Sequence, residues 1–214
     1  VDSFGHAGTL PQLLLKGGLE SYVFFRPDPQ REAALDEDLF LWQAPDGSTV
    51  FACRPPNHYC SSGDGIEGWL LNAVAHAPER AGVSLCFFGV GDHGGGPTAE
   101  NIASIRRLQE KLGSGSLCFG SLAQFFELAR VARADYPIRR AELQHHSPGC
   151  YSAHSGIKKW NRWAEQELAA IEKAHAVMAA LSGSSIAGTK AFEHLWRLVL
   201  FNQFHDVLAG TCIP

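Results

Sequence analysis

The stretch that decides the fold is residues 83–98, Val-Ser-Leu-Cys-Phe-Phe-Gly-Val followed by Gly-Asp-His-Gly-Gly-Gly-Pro-Thr. Its first half is apolar and aromatic, which is typical of a buried β-strand. Its second half is a glycine-rich loop, and Pro97 suits the first turn of a helix that we predict over residues 98–112. A strand that runs through a loop into a helix is the repeating unit of α/β folds.

The same alternation extends to both sides of this stretch. Apolar runs predict further strands at residues 21–26, 39–43, 49–53 and 117–120, and amphipathic spacing predicts helices at residues 10–16, 68–81 and 122–132. Pro45-Asp46-Gly47 between two of the strands is a β-hairpin signal. We therefore expect an α/β domain with a mostly parallel sheet or part of a barrel, in which ligands bind where strands end.

The remainder of the chain has a helical pattern. Residues 155–181 form one long amphipathic segment, residues 182–188 a turn, and the last helix reaches the stretch Asn-Gln-Phe-His-Asp-Val-Leu-Ala-Gly-Thr at residues 202–211. Two long helices joined by a short loop indicate an antiparallel pair from a bundle. The predicted domains are residues 1–137 for the α/β part, a linker at 138–154 and a helical part at 155–214.

Composition excludes several partner classes. The 214 residues carry 18 basic and 22 acidic side chains, so there is no electrostatic case for nucleic acid or an anionic membrane surface. No apolar run predicts a membrane span. The six cysteines lack Cys-x-x-Cys spacing, which disfavours a cysteine zinc site and points to a reducing, cytoplasmic setting. Because the chain starts at Val1 and stops at Pro214 just after a helix, we expect it to be part of a longer protein.

The glycine-rich loop formally matches the dinucleotide pattern Gly-x-Gly-x-x-Gly at residues 89–94. Two features disfavour that site: the acidic residue expected about twenty positions later would be Glu110, within a helix, and Pro97 starts the helix after the glycines. A loop without function is an alternative. The favoured interpretation is that small residues let the backbone and a substrate approach Asp92 closely at the end of a strand.

Other polar residues have structural explanations of their own. His205 and Asp206 could form a metal or acid–base site, although such a pair on a helix is more often a hydrogen-bonded boundary feature. Asp2 alone is a turn residue before a helix, and Arg26 at a strand end is usually a surface or capping arginine. None of these residues identifies a function by itself.

Six short motifs follow one another along the chain and together are more specific. They are Asp2-Ser-Phe-Gly-His6 with Leu10-Pro-Gln12, Phe25-Arg-Pro27, Trp42-Gln-Ala-Pro-Asp-Gly47 followed by Arg54-Pro55, Gly91-Asp-His-Gly-Gly-Gly-Pro-Thr98, Gly149-Cys-Tyr-Ser152, and Asn202-Gln-Phe-His-Asp206. In type and order they resemble the glycoside hydrolase family 38 α-mannosidases, and most of all the bacterial and cytosolic-type branch. The resemblance covers nearly the whole chain.

The resemblance implies a fold and a reaction. The fold would be part of a seven-stranded β/α barrel followed by part of a three-helix bundle. The reaction would be the retaining, zinc-dependent hydrolysis of terminal α-mannosides from mannose-containing oligosaccharides, with zinc chelating two hydroxyls of the terminal mannose. Unpaired barrel edges would also make a homo-oligomer a candidate assembly.

The resemblance also assigns roles to individual residues. Asp2 corresponds to the catalytic nucleophile, which is also a zinc ligand, and His205 corresponds to the zinc ligand from the bundle. Substrate-binding positions are Asp206, Arg26 and Tyr59. Asp92 is the only carboxylate in the loop where the family places its acid/base, so it is the candidate for that role.

The family's two other zinc ligands, a histidine and an aspartate, would precede Val1, so we expect the isolated chain to be inactive. Two further functions are alternatives. A metal-dependent carbohydrate deacetylase on a similar barrel would need a His-x-x-x-His pair, which the sequence lacks. The other alternative is a non-catalytic module that joins an α/β domain to helices.

Overall fold

The computed structural model describes residues 3–27, 35, 37–61, 65–91, 95–113, 115–144, 149, 152–183 and 188–211, without the side chains of 132–134. The chain divides into two compact units, Val1–His146 and Ser147–Pro214. The division lies inside the segment 138–154 for which the sequence suggests a linker. Residues 138–144 of that segment contribute a strand and a buried side chain to the first unit.

The first unit contains a four-stranded sheet in the order β1-β3-β2-β4. The strands are β1 (Ser21–Val23), β2 (Leu39–Gln43), β3 (Thr49–Cys53) and β4 (Ile138–Arg139). β1 is parallel to β3 and β4 is parallel to β2, whereas β2 and β3 are antiparallel. The sheet is therefore mixed rather than mostly parallel, because the hairpin turn reverses the chain between β2 and β3.

The hairpin turn has the local chemistry that the sequence predicts. Gly47 adopts a φ of 88°, a conformation that glycine reaches without a side-chain clash. The carboxylate of Asp46 accepts a hydrogen bond from the Ser48 amide at 3.0 Å. The amide of Ala44 donates to the carbonyl of Ser48 at 2.8 Å, which closes the turn. This turn fixes the register from Leu39–Cys53 to Gln43–Thr49.

Both faces of the sheet are buried. On one face Leu39, Phe51 and Cys53 pack against α4 (Leu122–Ala129). The opposite face is covered by α1 (Leu10–Lys16) and by Leu143. The side chains buried on this second face are Phe24, Leu35, Phe40, Trp42, Val50 and Ala52.

A separate apolar cluster joins α2 (Ile66–Ala75) to α3 (Ala99–Leu112). Thr98 begins α3 with a capping box, in which its hydroxyl accepts from the Asn101 amide at 3.0 Å and its own amide donates to the Asn101 side chain. α4 ends earlier than predicted, and residues 130–135 continue as a 3₁₀-helix.

The predicted strands at residues 83–90 and 117–120 are wrong as strand assignments. Within the described ranges, residues 83–90 join no ladder. Their side chains nevertheless alternate: Val83, Leu85 and Phe87 pack on the sheet, and Cys86 and Phe88 pack on the α2–α3 cluster. The alternation of apolar residues therefore arises because this segment is packed between two apolar clusters, and it does not indicate hydrogen bonding to a neighbouring strand.

The second unit consists of α5 (Ser155–Ser182), α6 (Thr189–Asn202) and α7 (His205–Leu208). The predicted continuous last helix is wrong, because Phe204, with φ −53° and ψ 138°, separates α6 from α7. α5 and α6 are joined by the indole of Trp196, which donates to Glu172 at 3.0 Å. Among the described residues, none of the helices has the length and apolar character needed to cross a membrane.

Candidate active site

Four segments of the first unit meet beyond the end of β1. They are residues 3–6, the residues that follow β1, the segment 58–61, and the turn at 89–96. The guanidinium of Arg26 lies over the ring of Phe4, 5.0 Å from its centroid. The ring of Phe25 contacts that of Tyr59 at 5.5 Å between centroids. These contacts gather the side chains at one edge of the sheet, where α/β folds place their ligands.

Arg26 is half-buried and is held at both its backbone and its side chain. Its carbonyl accepts a hydrogen bond from Nε2 of His6 at 2.9 Å, while its guanidinium stacks on Phe4. Asp2, the predicted nucleophile, lies outside the described residues. Phe4 is two residues further along the chain, so Arg26 lies beside the segment that follows Asp2.

Tyr59 is half-buried in an aromatic group at this edge. The centroid of its ring is 4.2 Å from that of His58 and 5.5 Å from that of Phe25. The centroid of the Phe25 ring is in turn 5.2 Å from that of Phe87. A packed ring of this kind offers a rigid apolar face with a polar hydroxyl at its tip. The environment suits the substrate contact that was predicted for Tyr59, which stays a prediction.

The glycine-rich turn is closed by its own backbone and by Ser61. The amide of Val90 donates to the carbonyl of Gly96 at 3.0 Å. Ser61 is buried and exchanges two hydrogen bonds with Gly89, which donates its amide to the hydroxyl at 2.9 Å and accepts from the Ser61 amide at 2.8 Å. Asp92, the predicted acid/base, is outside the described residues, as are His93 and Gly94.

Two of the glycines are required by close contacts. A Cβ atom on Gly91 would lie 1.8 Å from Sγ of Cys60, and one on Gly95 would lie 2.6 Å from the carbonyl oxygen of Val90. Contacts this short exclude any side chain unless the neighbour moves. Glycine at these two positions therefore permits a close approach of Gly91 to Cys60 and of Gly95 to Val90. The predicted approach of a substrate to Asp92 stays a prediction.

His205 and Asp206 form the start of α7 in the second unit. Nε2 of His205 lies 3.5 Å from Oδ1 of Asp206, and the side chains are 81% and 63% exposed. Gln203, just before α7, donates to Glu165 at 2.7 Å and to Asn161 at 3.3 Å, which attaches the end of α6 to α5. His205 is thus an accessible imidazole on an anchored segment, although it lies on a separate helix from the predicted one.

No three histidine, cysteine or acidic side chains among the described residues come together as a metal site. The imidazole of His205 has the chemistry that zinc accepts, but zinc takes about four ligands. The roles predicted for Asp2 and Asp92 stay predictions, since both residues are outside the described residues.

The structure adds His6 to the residues selected from the sequence. It is 3% exposed, and its two ring nitrogens contact the carbonyl of Arg26 and the hydroxyl of Tyr22, each at 2.9 Å. Burial lowers the pKa of His6 from 6.5 to about 4, partly offset by the bond to Arg26. Its position depends on backbone pairing with Leu143, so no local pattern marked it beyond its place in the first motif.

Comparisons with known proteins agree with this arrangement. The family model for the glycosyl hydrolases family 38 N-terminal domain matches residues 1–146, and that for the alpha mannosidase middle domain matches residues 144–214. The chain is 32% identical to human alpha-mannosidase 2C1 and 29% identical to the alpha-mannosidase of Saccharomyces cerevisiae, with 99% of the chain covered in both cases. It spans 21% of the length of each of these relatives.

A solved structure shares the fold. The alpha-mannosidase of Enterococcus faecalis superposes with a TM-score of 0.70 over 98% of this chain and 25% of its own, at 18% identity. The first family model alone covers more than half of the 214 residues, and the resemblance inferred from the six motifs is confirmed. The chain belongs to glycosyl hydrolase family 38.

Proposed function

We propose that this chain forms part of the catalytic region of a retaining, zinc-dependent exo-α-mannosidase that hydrolyses terminal α-mannosides of glycans. The observation that carries the proposal is the position of Arg26, which lies on Phe4 beside the segment that follows Asp2. Tyr59 and Gly91, the residue before Asp92 in the sequence, lie at the same edge. The relatives' names add support, because each describes an alpha-mannosidase.

The proposed reaction divides the work between two carboxyl groups. Asp2 attacks the anomeric carbon, and Asp92 protonates the departing glycosidic oxygen and later activates water. Retention requires these carboxyls to be about 5–5.5 Å apart. A guanidinium beside Asp2, the role proposed for Arg26, would favour the ionised carboxylate that the attack requires. Tyr59 offers an aromatic face to the sugar, and Asp206 accepts hydrogen bonds from its hydroxyls.

Asp2 and His205 would hold zinc together with further ligands, since zinc takes about four. When bound, zinc supplies positive charge at the substrate hydroxyls and so stabilises charge that develops during the reaction. The same proposal includes a barrel for the first unit and a helical bundle for the second. It also includes a cytoplasmic location, supported by the free thiols of the cysteines that the structure describes, Cys53, Cys60, Cys86 and Cys118. Assembly as a homo-oligomer stays a prediction.

The test is an assay of aryl α-mannoside hydrolysis. The enzyme assayed is a polypeptide of the same length as the relatives that contains this 214-residue sequence. We expect Asp2→Asn to lower kcat by about a thousandfold or more, because it removes the nucleophile. Asp46→Asn in the hairpin turn is the matched control and should leave the rate unchanged. NMR of the first product should show the α anomer, and a chelator should abolish turnover. Activity that is indifferent to both zinc removal and Asp2→Asn contradicts the mechanism.

A further inference from the structure

His6 is buried and contacts β1, β2 and the segment that contains Leu143. Its backbone exchanges two hydrogen bonds with Leu143, each 3.0 Å long. Its ring contacts Tyr22, Phe24 and Trp42, with centroid distances of 5.4, 5.1 and 6.4 Å. These contacts hold the imidazole in one position. They therefore also hold the Nε2 atom that donates a hydrogen bond to the carbonyl of Arg26.

The chemistry of the two partners determines which ring nitrogen carries the proton. The carbonyl oxygen of Arg26 can only accept, so Nε2 must be the protonated nitrogen. In the neutral ring Nδ1 is then an acceptor, and the hydroxyl of Tyr22 donates to it. Burial favours this neutral form, since it lowers the pKa of His6 to about 4.

We propose that His6 is a positioning residue for Arg26: its neutral Nε2–H tautomer, held by Tyr22, fixes the backbone after β1 and so sets the guanidinium over Phe4, beside the segment that follows Asp2. This inference rests on the proposed function for its catalytic meaning. The hydrogen-bond arrangement itself can be measured without any activity.

A matched pair of amide substitutions separates positioning from packing. In His6→Gln the terminal amide nitrogen takes the place of Nε2 and can still donate to Arg26. In His6→Asn the shorter amide reaches only the place of Nδ1. We expect kcat/KM on an aryl α-mannoside to fall about threefold or less for His6→Gln and about tenfold or more for His6→Asn, because a small displacement of a positioned group is costly.

A double-mutant cycle with Arg26→Lys shows whether His6 acts through Arg26. If it does, His6→Asn should cost less than about threefold in kcat/KM in the Arg26→Lys background, because the fork geometry that His6 positions is already lost. Equal costs in both backgrounds, or equal activity of the Gln and Asn variants, would overturn the positioning role and leave His6 as a core residue.

The tautomer is tested independently by nitrogen-15 NMR of the labelled 214-residue chain, with the His6 signals assigned by their loss in His6→Gln. We expect a protonated Nε2 and a bare Nδ1 at about pH 7, and a changed Nδ1 signal in Tyr22→Phe. A protonated Nδ1 would overturn the proposal even where the enzyme is active. If the expected tautomer is found but the full-length polypeptide cleaves no mannoside, the proposed function fails while the hydrogen bond from His6 to Arg26 stands.

Discussion

The stability of the first unit should fall on acidification, and His6 should account for a defined part of the loss. The folded state lowers the pKa of this imidazole from 6.5 to about 4. Between these values the unfolded chain binds a proton that the folded chain excludes, so stability decreases as the pH falls. The contribution of His6 is fully present above about pH 6.5 and is lost progressively toward pH 4.

The size of this effect follows from the two pKa values. When the pH falls from about 7 to 4.5, the difference between these pKa values lowers the free energy of unfolding by about 2.5 kcal/mol. This is a large part of the roughly 5–15 kcal/mol that is typical of a folded domain. His6 is only 3% exposed, so solvent screening does not reduce the effect appreciably.

The assay is urea denaturation of the wild type and of His6→Gln at several pH values between about 7 and 4.5, followed by near-ultraviolet circular dichroism of the buried aromatic residues. Subtracting the variant from the wild type removes the contribution of other titrating groups. One of these is Asp38, whose pKa is raised by burial and which acts in the opposite direction. A difference between the two proteins that stays constant from pH 7 to pH 4.5 would refute the reasoning.

Three further predictions concern the turn and the helix end. Gly91→Ala should lower the free energy of unfolding by about 1–3 kcal/mol, because the added methyl group meets Sγ and Cβ of Cys60. Urea denaturation of the double variant with Cys60→Gly should show that this loss is partly recovered. Ser61→Ala should leave the buried Gly89 amide without its acceptor, at about 1–3 kcal/mol, and speed its hydrogen exchange; unchanged exchange would contradict this. Gln203→Ala should increase exchange across α7 while the helical circular dichroism of α5 and α6 is retained; loss of the whole signal would show a wider role.

Features that depend on neighbouring residues could be predicted from the sequence. The hairpin follows from Asp46-Gly47, whose turn chemistry acts within four residues, and α3 follows from the cap at Thr98. The α/β class is confirmed by the sheet and the helices that cover it. The antiparallel direction of β2 within the sheet follows from that same hairpin, although the alternation of elements had suggested a mostly parallel arrangement.

Features that depend on distant pairing could not be predicted. β4 has two residues, too few for any periodic pattern, and becomes a strand because Leu41 and Trp42 lie opposite it. Residues 83–90 have the composition of a strand, but composition does not supply a hydrogen-bonding neighbour. In the candidate site, Arg26 and Tyr59 came from the family resemblance, whereas the role of His6 became visible only with its contacts to Tyr22 and to the carbonyl of Arg26.

The doubly buried sheet has a consequence for how this chain tolerates change. In a sheet with one wet face, a saturation-mutagenesis map shows permissive and intolerant positions in alternation along each strand. In β2 and β3, consecutive side chains are buried in two different hydrophobic clusters, one on each face of the sheet. Tolerance to substitution should therefore change gradually from one end of each strand to the other and should not alternate between neighbouring residues. The permissive end is near the turn, where Gln43 and Thr49 are half-exposed and bond to each other at 3.1 Å. The mutagenesis map should therefore be most permissive at Gln43 and Thr49 and become less permissive toward the edge that carries Arg26.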